Sequence, residues 1–433
     1  MKLIILIIIS GLLFNNLYAA KLDLSSNINA SVKSYSNLIN TKDLSYYEND
    51  INLGFTVKKI ILEKTDNSSM DISIGFKNIQ IDNSTSVLNS NQMKEAIEYY
   101  PEVNKPFINK AYVKIYNFYS DDIDFTFGRQ NYTLGQGIVL SDNEKGFNGL
   151  KLEFKNKVKF LDNLDFFTFR EIKEGNPFYL YGLNGFINGF DGTWEIYHFY
   201  QKTNKNDQEI SYQSKEIDKR FSGIRYFLNK NQVDFDGEFA IQRGNNTDLS
   251  KDNKIDYKGY AFTLKSSFNQ KLPILGPSRT RILYSKSTGN SDSNFEKDRA
   301  FSPQFTAKYC GVSRCGYGEI FSASVYDVLK TSNTLNGLPD GISGLNTINF
   351  GFDIPYNKLI LSFDYFLFKA DKNTNDKGNL RLASETDLKI GYKLGEKLSL
   401  DLIYATLNPL AALDKKNVLK NTKLIAFNIK ARF

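Results

Sequence analysis

The sequence of 433 residues contains one histidine, two cysteines and nine prolines, and each shortage excludes something. One histidine and two cysteines argue against an ordinary zinc site. A hydrolase would need a histidine beside a serine or an aspartate. The only histidine, His198, lies in the aromatic stretch Trp194–Tyr200, so we expect a wall residue rather than a general base. With no glycine-rich phosphate loop between a strand and a helix, we predict a non-enzyme without catalytic residues, cofactor or metal.

After residue 20 the sequence also lacks any apolar run near the ~18–20 residues that a membrane-spanning helix needs, and the mean hydropathy is −0.38. Yet 14% of the residues are aromatic, with 34 Phe and 26 Tyr. In a transmembrane β-barrel only every second residue faces lipid, so such a chain never looks hydrophobic in a window. The remaining chain is also long for one soluble core.

Residues 1–20 have the features of a secretory signal peptide. Lys2 supplies the positive charge, Leu3 to Phe14 form the apolar segment, and Ala19 and Ala20 are small residues suited to cleavage. The exact cleavage site stays open. A membrane anchor is the alternative, but the apolar run is too short to span and ends in Asn15 and Asn16. We therefore expect an exported chain.

The last residues alternate between apolar and polar side chains. Ile425, Phe427, Ile429 and Phe433 share one parity, and Asn428, Lys430 and Arg432 share the other. A period of two is typical of a β-strand with one apolar face. The same alternation recurs along the chain, at 51–58, 71–77, 110–115, 150–155, 233–242, 387–394 and 397–404. A soluble β-sandwich or β-helix would explain neither the aromatic content nor a terminal Phe433, for which we predict an assembly signal.

The pattern predicts an all-β fold, a transmembrane antiparallel barrel formed by residues 21–433 as a single domain. We count thirteen strands of about ten residues up to Ser287 and five from Leu345 onward, eighteen in total. Short periplasmic turns should alternate with long extracellular loops, the longest at about 288–344. The stretch Glu319 to Tyr326 is strand-like, so twenty strands are an alternative. Sixteen would follow if 178–202 were not a hairpin.

If the apolar parity faces lipid, the polar parity lines the interior. A charged interior is costly unless it is wet, so we expect a water-filled lumen or one plugged by a charged loop. The alternative is that these charges only pair with each other in a structural barrel. The predicted pore-lining residues are Lys58, Lys110, Lys114, Lys151, Glu153, Lys155, Arg225, Asp234, Asp236, Glu238, Lys265, Arg281, Glu385, Asp387, Lys389, Lys430 and Arg432.

Two further features concern the predicted loops. Cys310 and Cys315 lie five residues apart, which in an oxidising compartment indicates a local disulfide. Free thiols or a pair of metal ligands are the alternatives. Residues 90–100 have a helix-like sequence, and this segment could lie in a loop or fold into the pore.

One stretch resembles a known family. Residues 124–135 with Gly128, Arg129 and Gln130, followed by Phe147, Gly149 and Leu150, are similar to the "GRQ…G…FDGL" segment of the alginate-export family of outer-membrane channels. Residues 384–388, followed by Asn408 and Pro409, resemble that family's "E-x-D" strand. The resemblance covers about a quarter of the chain. It implies an eighteen-stranded barrel with a charged lumen and inward loops, and transport of an anionic polysaccharide or small solutes.

These observations lead us to expect a porin-like channel in the outer membrane of a Gram-negative bacterium. It would pass small hydrophilic solutes by diffusion, with anionic or sugar-acid solutes as candidates. The expected partners are outer-membrane lipid and lipopolysaccharide, the barrel-assembly machinery, and small solutes or an anionic saccharide, with no nucleic acid. The chain could be a monomer or a trimer. The alternatives are a structural or adhesive barrel with a closed lumen, and an outer-membrane hydrolase.

Overall fold

The structure is a computed structural model. It describes residues 20–38, 43–63, 67–82, 87, 103–155, 161–173, 176–203, 215–248, 253–290, 297–311, 313–324, 342–374, 376, 378–413 and 419–433. The predicted signal peptide, except Ala20, and the helix-like segment 90–100 lie outside these residues.

Eighteen antiparallel strands form the wall of a closed barrel, and two short strands, Asn253–Tyr257 and Lys297–Asp298, extend the same sheet at the loop end. Most of them alternate between apolar and polar residues, because successive side chains in a strand point to opposite faces of the wall. The wall strands are β1 (Lys21–Ser36), β2 (Asp43–Glu63), β3 (Ser68–Ile81), β4 (Phe107–Tyr116), β5 (Ile123–Gln130), β6 (Phe147–Lys155), β7 (Leu161–Lys173), β8 (Asn176–Gly189), β9 (Gly192–Thr203), β10 (Lys215–Lys230), β11 (Val233–Asp248), β12 (Tyr260–Leu272), β13 (Gly276–Ser287), β14 (Ile342–Tyr356), β15 (Leu359–Asn373), β16 (Arg381–Leu394), β17 (Leu398–Pro409) and β18 (Thr422–Arg432).

The first and last strands close the barrel. β1 pairs with β18 from Asn27↔Arg432 to Ser36↔Lys423, and backbone bonds between Ser26 and Phe433 extend this seam. Closure satisfies every strand edge, which a sheet in a membrane requires. The predicted fold and the count of thirteen plus five strands are confirmed.

Both alternative counts are wrong. Sixteen strands would require that residues 178–202 not form a hairpin, but β8 and β9 pair from Phe178↔Thr203 to Gly189↔Gly192. Twenty strands would require wall strands near residue 319, but the described part of that segment lies inside the barrel against Glu385. Strand length also differs from the expected ten residues, since β5 has 8 residues and β2 has 21.

The two ends of the barrel differ. The turn end carries Lys21, Arg432 and connections such as 231–232 and 357–358, where Asn231 and Asn357 adopt a positive φ that asparagine tolerates. The loop end carries the long connections. Short strand pairs occur within these connections, at Thr133–Leu134 with Leu140–Ser141 and at Tyr309–Cys310 with Ser313–Arg314.

The outer wall is apolar. Ile425, Phe427, Ile429 and Phe433 are 36–65% exposed, and the same holds for outward positions around the barrel, such as Leu24, Phe127, Ile282, Phe350 and Leu402. An exposed apolar belt of this extent exceeds the patches tolerated on soluble monomers, and it suits contact with hydrocarbon. Among the described residues, no helix is long and apolar enough to span a membrane.

Candidate functional site: the barrel interior

Two segments fold into the barrel from the loop end. Inner loop A is residues 131–146, between β5 and β6, and inner loop B is the described part of 288–324, after β13. Ser141 N–H donates to Phe305 O at 2.9 Å, and Ala307 N–H donates to Gly137 O at 2.9 Å. The Asn143 carboxamide oxygen accepts the N–H groups of Lys308 and Tyr309, at 2.6 and 2.9 Å. The two loops therefore form one joined partition inside the barrel.

Carboxylates on β9 and β11 hold the tip of inner loop A. Gly135 N–H donates to Glu195 Oε1 at 3.0 Å, and Gln136 N–H donates to Glu238 Oε2 at 2.5 Å. The second oxygen of Glu238 accepts the Tyr197 hydroxyl at 2.6 Å. Gly135 has φ +57°, and a Cβ there would lie 2.2 Å from Glu238 Oε1. The position therefore requires glycine for its backbone conformation and for the close approach.

The same arrangement holds inner loop B on β16. Glu385 accepts Ile320 N–H at 2.6 Å and Phe321 N–H at 2.8 Å, and Asp387 accepts Glu319 N–H at 3.2 Å. The ring of Phe321 stacks on Phe368 with centroids 4.0 Å apart. Charge-assisted bonds to a carboxylate are stronger than neutral ones. Glu238, Glu385 and Asp387, predicted to line a pore, thus bind loop backbone.

Apolar side chains fill the loop end between the partition and the wall. At inward positions of β7 to β10 lie Phe167, Phe169, Phe199 and Phe221, all at most 3% exposed. They pack with Tyr132, Leu140, Phe301 and Phe305 of the inner loops. A second cluster joins Phe321 to inward residues of β15 to β18. The polar inward face that the alternation predicts therefore does not extend to the loop end, where apolar side chains cover both faces of the wall.

Toward the turn end, the inner wall carries ion pairs. Lys114 lies 2.9 Å from Glu153 and 3.3 Å from Asp124, Lys151 lies 3.2 Å from Glu153, and Lys155 lies 2.5 Å from Asp124. Further pairs join Arg225 to Asp236 and Glu195, Arg279 to Asp234, Arg281 to Asp353 and Asp364, Lys389 and Lys430 to Asp401, and Lys58 to Asp23.

Three of the predicted pore-lining cations form no ion pair with any described residue. Within the described residues, Lys110, Lys265 and Arg432 have no carboxylate within ion-pair distance. Lys110 and Arg432 border a cavity of about 570 Å³ between inner loop A and β1 to β4, together with Asn52 and Asn109. The Asn109 carboxamide oxygen is buried and has no hydrogen-bond partner. This cavity thus offers two free cations and amide groups to a polar solute.

A second cavity of about 250 Å³ lies between inner loop B and the strands β1, β2 and β16 to β18. Its charged lining is balanced: Lys33, Lys389 and Lys430 against Glu48, Asp50 and Glu319. Lys77, whose side chain is fully buried, pairs with Asp50 beside this cavity and with Glu144 beside the larger one. A buried lysine held by two carboxylates therefore lies between the two cavities.

Asp142 fixes the C-terminal part of inner loop A. Burial raises the pKa of its carboxyl, and hydrogen bonds from the Asn131 amide and from Gly146 N–H oppose the rise. Asp142 and Glu144 thus border the larger cavity, which Lys110 and Arg432 also line.

The "GRQ" motif serves the junction of inner loop A with the wall. Arg129 shares the outward face with Phe127 and donates to Lys145 O at 2.8 Å and to Asn148 Oδ1 at 3.1 Å. The β4–β5 register is regular at Gly128, where a Cβ would lie 2.3 Å from Ala111 O. Gln130 is buried and donates to Gly149 O. Arg129 therefore holds the loop from outside the barrel and does not enter the interior.

His198 also lies on the outer wall, between Leu183 and Ser222. Its Nδ1 lies 2.7 Å from Ser222 Oγ, and its ring meets Tyr200 edge-on at 5.1 Å. Sequence reasoning missed this histidine–serine pair. No carboxylate or amide contacts the other ring nitrogen within the part of the chain described, so the third group of a catalytic triad is absent there.

Cys315 is disulfide-bonded, and the described residues include no free cysteine. The sequence contains one other cysteine, Cys310. In the short strand pair of inner loop B, Cys310 lies opposite Ser313, two residues before Cys315. The side chain of Cys310 lies outside the described part of the structure, so the Cys310–Cys315 pairing stays a prediction.

Solved structures share this fold. The chain is similar to OccK9 (OpdG) of Pseudomonas aeruginosa, with TM-score 0.57 and 9% identity over 95% of this chain and 98% of that one. It is similar to OccAB1 of Acinetobacter baumannii, with TM-score 0.57 and 10% identity over 96% and 99%. For OccD3 (OpdP) of Pseudomonas aeruginosa, the TM-score is 0.53 at 10% identity over 97% and 94%.

These neighbours are outer-membrane porins, so the barrel is porin-like in its fold. No family model matches the chain. No curated protein matches it either. The resemblance to the alginate-export family is not confirmed.

Proposed function

We propose that the protein is an outer-membrane channel that passes small hydrophilic solutes by diffusion. The observation that carries the proposal is the pairing of an apolar outer wall with an ion-paired inner wall that borders two polar cavities. Paired charges that line a water-filled passage have a low desolvation cost. They select solutes through the electrostatic potential near each pair rather than through the net charge of the passage. The inner loops narrow the passage and restrict it to small solutes.

The free cations support a preference for anionic or sugar-acid solutes. Lys110 and Arg432 border the larger cavity, and Lys265 adds a third unpaired charge. The resemblance to the alginate-export family adds an anionic saccharide to the candidates. Solute selection in this proposal rests on Lys110, Lys265 and Arg432, since the other predicted pore-lining cations have carboxylate partners.

The proposed setting is the outer membrane of a Gram-negative bacterium, reached through cleavage of the signal peptide. Lipid and lipopolysaccharide would surround the apolar wall, with the turn end in the periplasm. The terminal Phe433, 65% exposed at the β1–β18 seam, would meet the barrel-assembly machinery. A monomer and a trimer are both compatible with this wall.

We further propose that the chain is not an enzyme, because its only histidine faces outward without a third catalytic partner in the described residues. The competing function is a structural or adhesive barrel with a closed lumen. The two apolar clusters at the loop end favour that alternative, since they occupy much of the interior there.

Single-channel current of the refolded mature protein in a planar bilayer under a salt gradient tests the proposal. Stable current steps with an anion-leaning reversal potential are expected. Lys110→Gln should shift the potential toward cations, whereas the matched Lys369→Gln change, at an exposed position on β15, should not. A folded, heat-resistant barrel without any conductance would support the closed-lumen alternative instead.

A further inference from the structure

The outer wall carries a patch of cations and tyrosines at the loop end of β7 to β11. We define the rim patch as Arg170, Tyr179, Tyr200, Lys202, Arg220 and Arg243. Its members are direct cross-strand neighbours: Arg170 opposes Tyr179, Tyr179 opposes Lys202, Tyr200 opposes Arg220, and Arg220 opposes Arg243. They share outward parity with exposed Phe166, Ile196 and Phe239. The patch is therefore one continuous surface outside the barrel.

Among the described residues, the arginines of the rim patch have no counter-charge. Arg170, Arg220 and Arg243 are exposed, and no described carboxylate lies within ion-pair distance of them. The Arg243 guanidinium donates only to Gln242 O, at 2.8 Å. Lys202 pairs with Asp218 at 3.2 Å. Like charges directly opposite each other destabilise a sheet, so an anion bound between Arg220 and Arg243 would stabilise this pair.

The tyrosines orient these cations. The Arg220 guanidinium lies 6.0 Å from the centroid of Tyr200, and that of Arg170 lies 6.0 Å from Tyr179. Tyr200 itself stacks on Tyr181 at 5.2 Å. A guanidinium held over a ring keeps its planar fork ordered, and that fork matches the oxygens of a phosphate.

The position of the rim patch points to a lipid headgroup. One step toward the turn end, Arg220 and Arg243 give way to Ser222 and Ile241, and the next step brings exposed Ile224 and Phe239. The cations thus lie at the border of the apolar belt, where headgroups meet hydrocarbon. On the far side of the barrel, β1 and β2 present Ser34 and Ser45, hydrogen-bonded to each other at 2.8 Å.

We infer that the rim patch binds the phosphate groups of a phosphorylated glycolipid in the outer leaflet. This inference rests on the outer-membrane setting proposed above, and not on conduction. A ligand with two phosphates and acyl chains would bridge Arg220 and Arg243 while its chains cover the apolar belt below.

Native mass spectrometry of the full-length mature protein in detergent micelles tests the inference, with diphosphoryl lipid A as the probe. Arg220→Gln/Arg243→Gln should weaken binding by about tenfold or more, because two charge-assisted contacts are lost. The matched control, Lys271→Gln/Lys358→Gln, removes two exposed charges at the turn end of the barrel and should bind like the unmodified protein. Dephosphorylated lipid A should bind weakly to all three.

Equal weakening in both double variants, or none in the arginine variant, would overturn the inference. Displacement of the lipid by inorganic phosphate at equal concentration would also overturn it, because the site would then be a free-anion site. A difference in gel mobility between heated and unheated samples verifies that each variant folds. Unchanged single-channel current in the arginine variant separates this site from the channel proposal, since a failed channel would show no current in any variant.

Discussion

At the loop end, the rings of Phe199 and Phe221 stack 5.0 Å apart inside the barrel, beneath the inner loops. At the turn end, Lys114, Asp124 and Glu153 face the same interior as an ion-paired group. Opening the first region would be unfavourable, because it would expose buried apolar surface to water. In the second, Asp124 and Glu153 each contact two lysines, so one ion pair can be lost while another remains. We therefore expect rigidity and gating at the loop end and solute selection at the turn end.

The largest effect is expected from the aromatic packing. Phe199→Ala removes a fully buried ring and should lower the free energy of unfolding by about 3–5 kcal/mol. Urea unfolding of the barrel in micelles measures it. Phe190→Ala, at a turn-end residue that is 86% exposed, is the control and should change little. Equal losses in the two variants would contradict the distinction between the regions.

The next effect concerns the tip of inner loop A. Gly135→Ala adds a Cβ against Glu238 at a positive φ, a strain of about 1–3 kcal/mol, and should detach the loop from β9 and β11. Single-channel conductance should rise, and limited proteolysis should cleave within residues 131–146. Gly189→Ala, where a Cβ meets nothing within 4 Å, should leave both unchanged. A detached loop without any rise in conductance would remove loop A from the conduction path.

A smaller effect is expected at inner loop B. Glu385→Gln keeps the size of the side chain but replaces one accepting oxygen with a donor, and it should cost about 1–3 kcal/mol through an unsatisfied amide at Ile320 or Phe321. Trypsin cleavage after Arg314 should accelerate. Asp401→Asn, at a turn-end carboxylate paired with Lys389 and Lys430, should not alter that rate. Similar rates in both variants would show that Glu385 does not hold the loop.

The smallest effect on stability is expected at a turn-end ion pair. Arg279→Gln breaks a pair whose two side chains are 45% and 30% exposed, leaves Asp234 with the Ser267 hydroxyl, and should change the free energy of unfolding by about 0–1 kcal/mol. The reversal potential should nevertheless move toward cations, because a positive charge leaves the interior. Unfolding and bilayer current measured on the same preparation test both statements. A large loss of stability would mean that the turn end is as tightly coupled as the loop end.

Sequence periodicity predicted which residues face outward from the wall, but it did not predict what the inward residues contact. The alternation at 425–433 predicts that Phe427 faces outward and Lys430 inward, and the β17–β18 register agrees. The alternation does not indicate the inward face of β9, because aromatic residues occur on both of its faces, and Tyr197 and Phe199 pack inward at 0–1% exposure. Glu195, which binds inner loop A, shares their parity, so the alternation indicated neither its inward position nor its partner.

The amino-acid sequence by itself determined the eighteen strands and, where the alternation is regular, the face that each side chain takes, because these depend on local alternation and on turn residues. Only the tertiary structure decided which inward carboxylates meet water and which bind a loop. Glu153 meets lysines of neighbouring strands, whereas Glu385 meets amides more than sixty residues away in the chain. Such contacts depend on how two long loops fold back through a closed barrel, and no local pattern encodes that path.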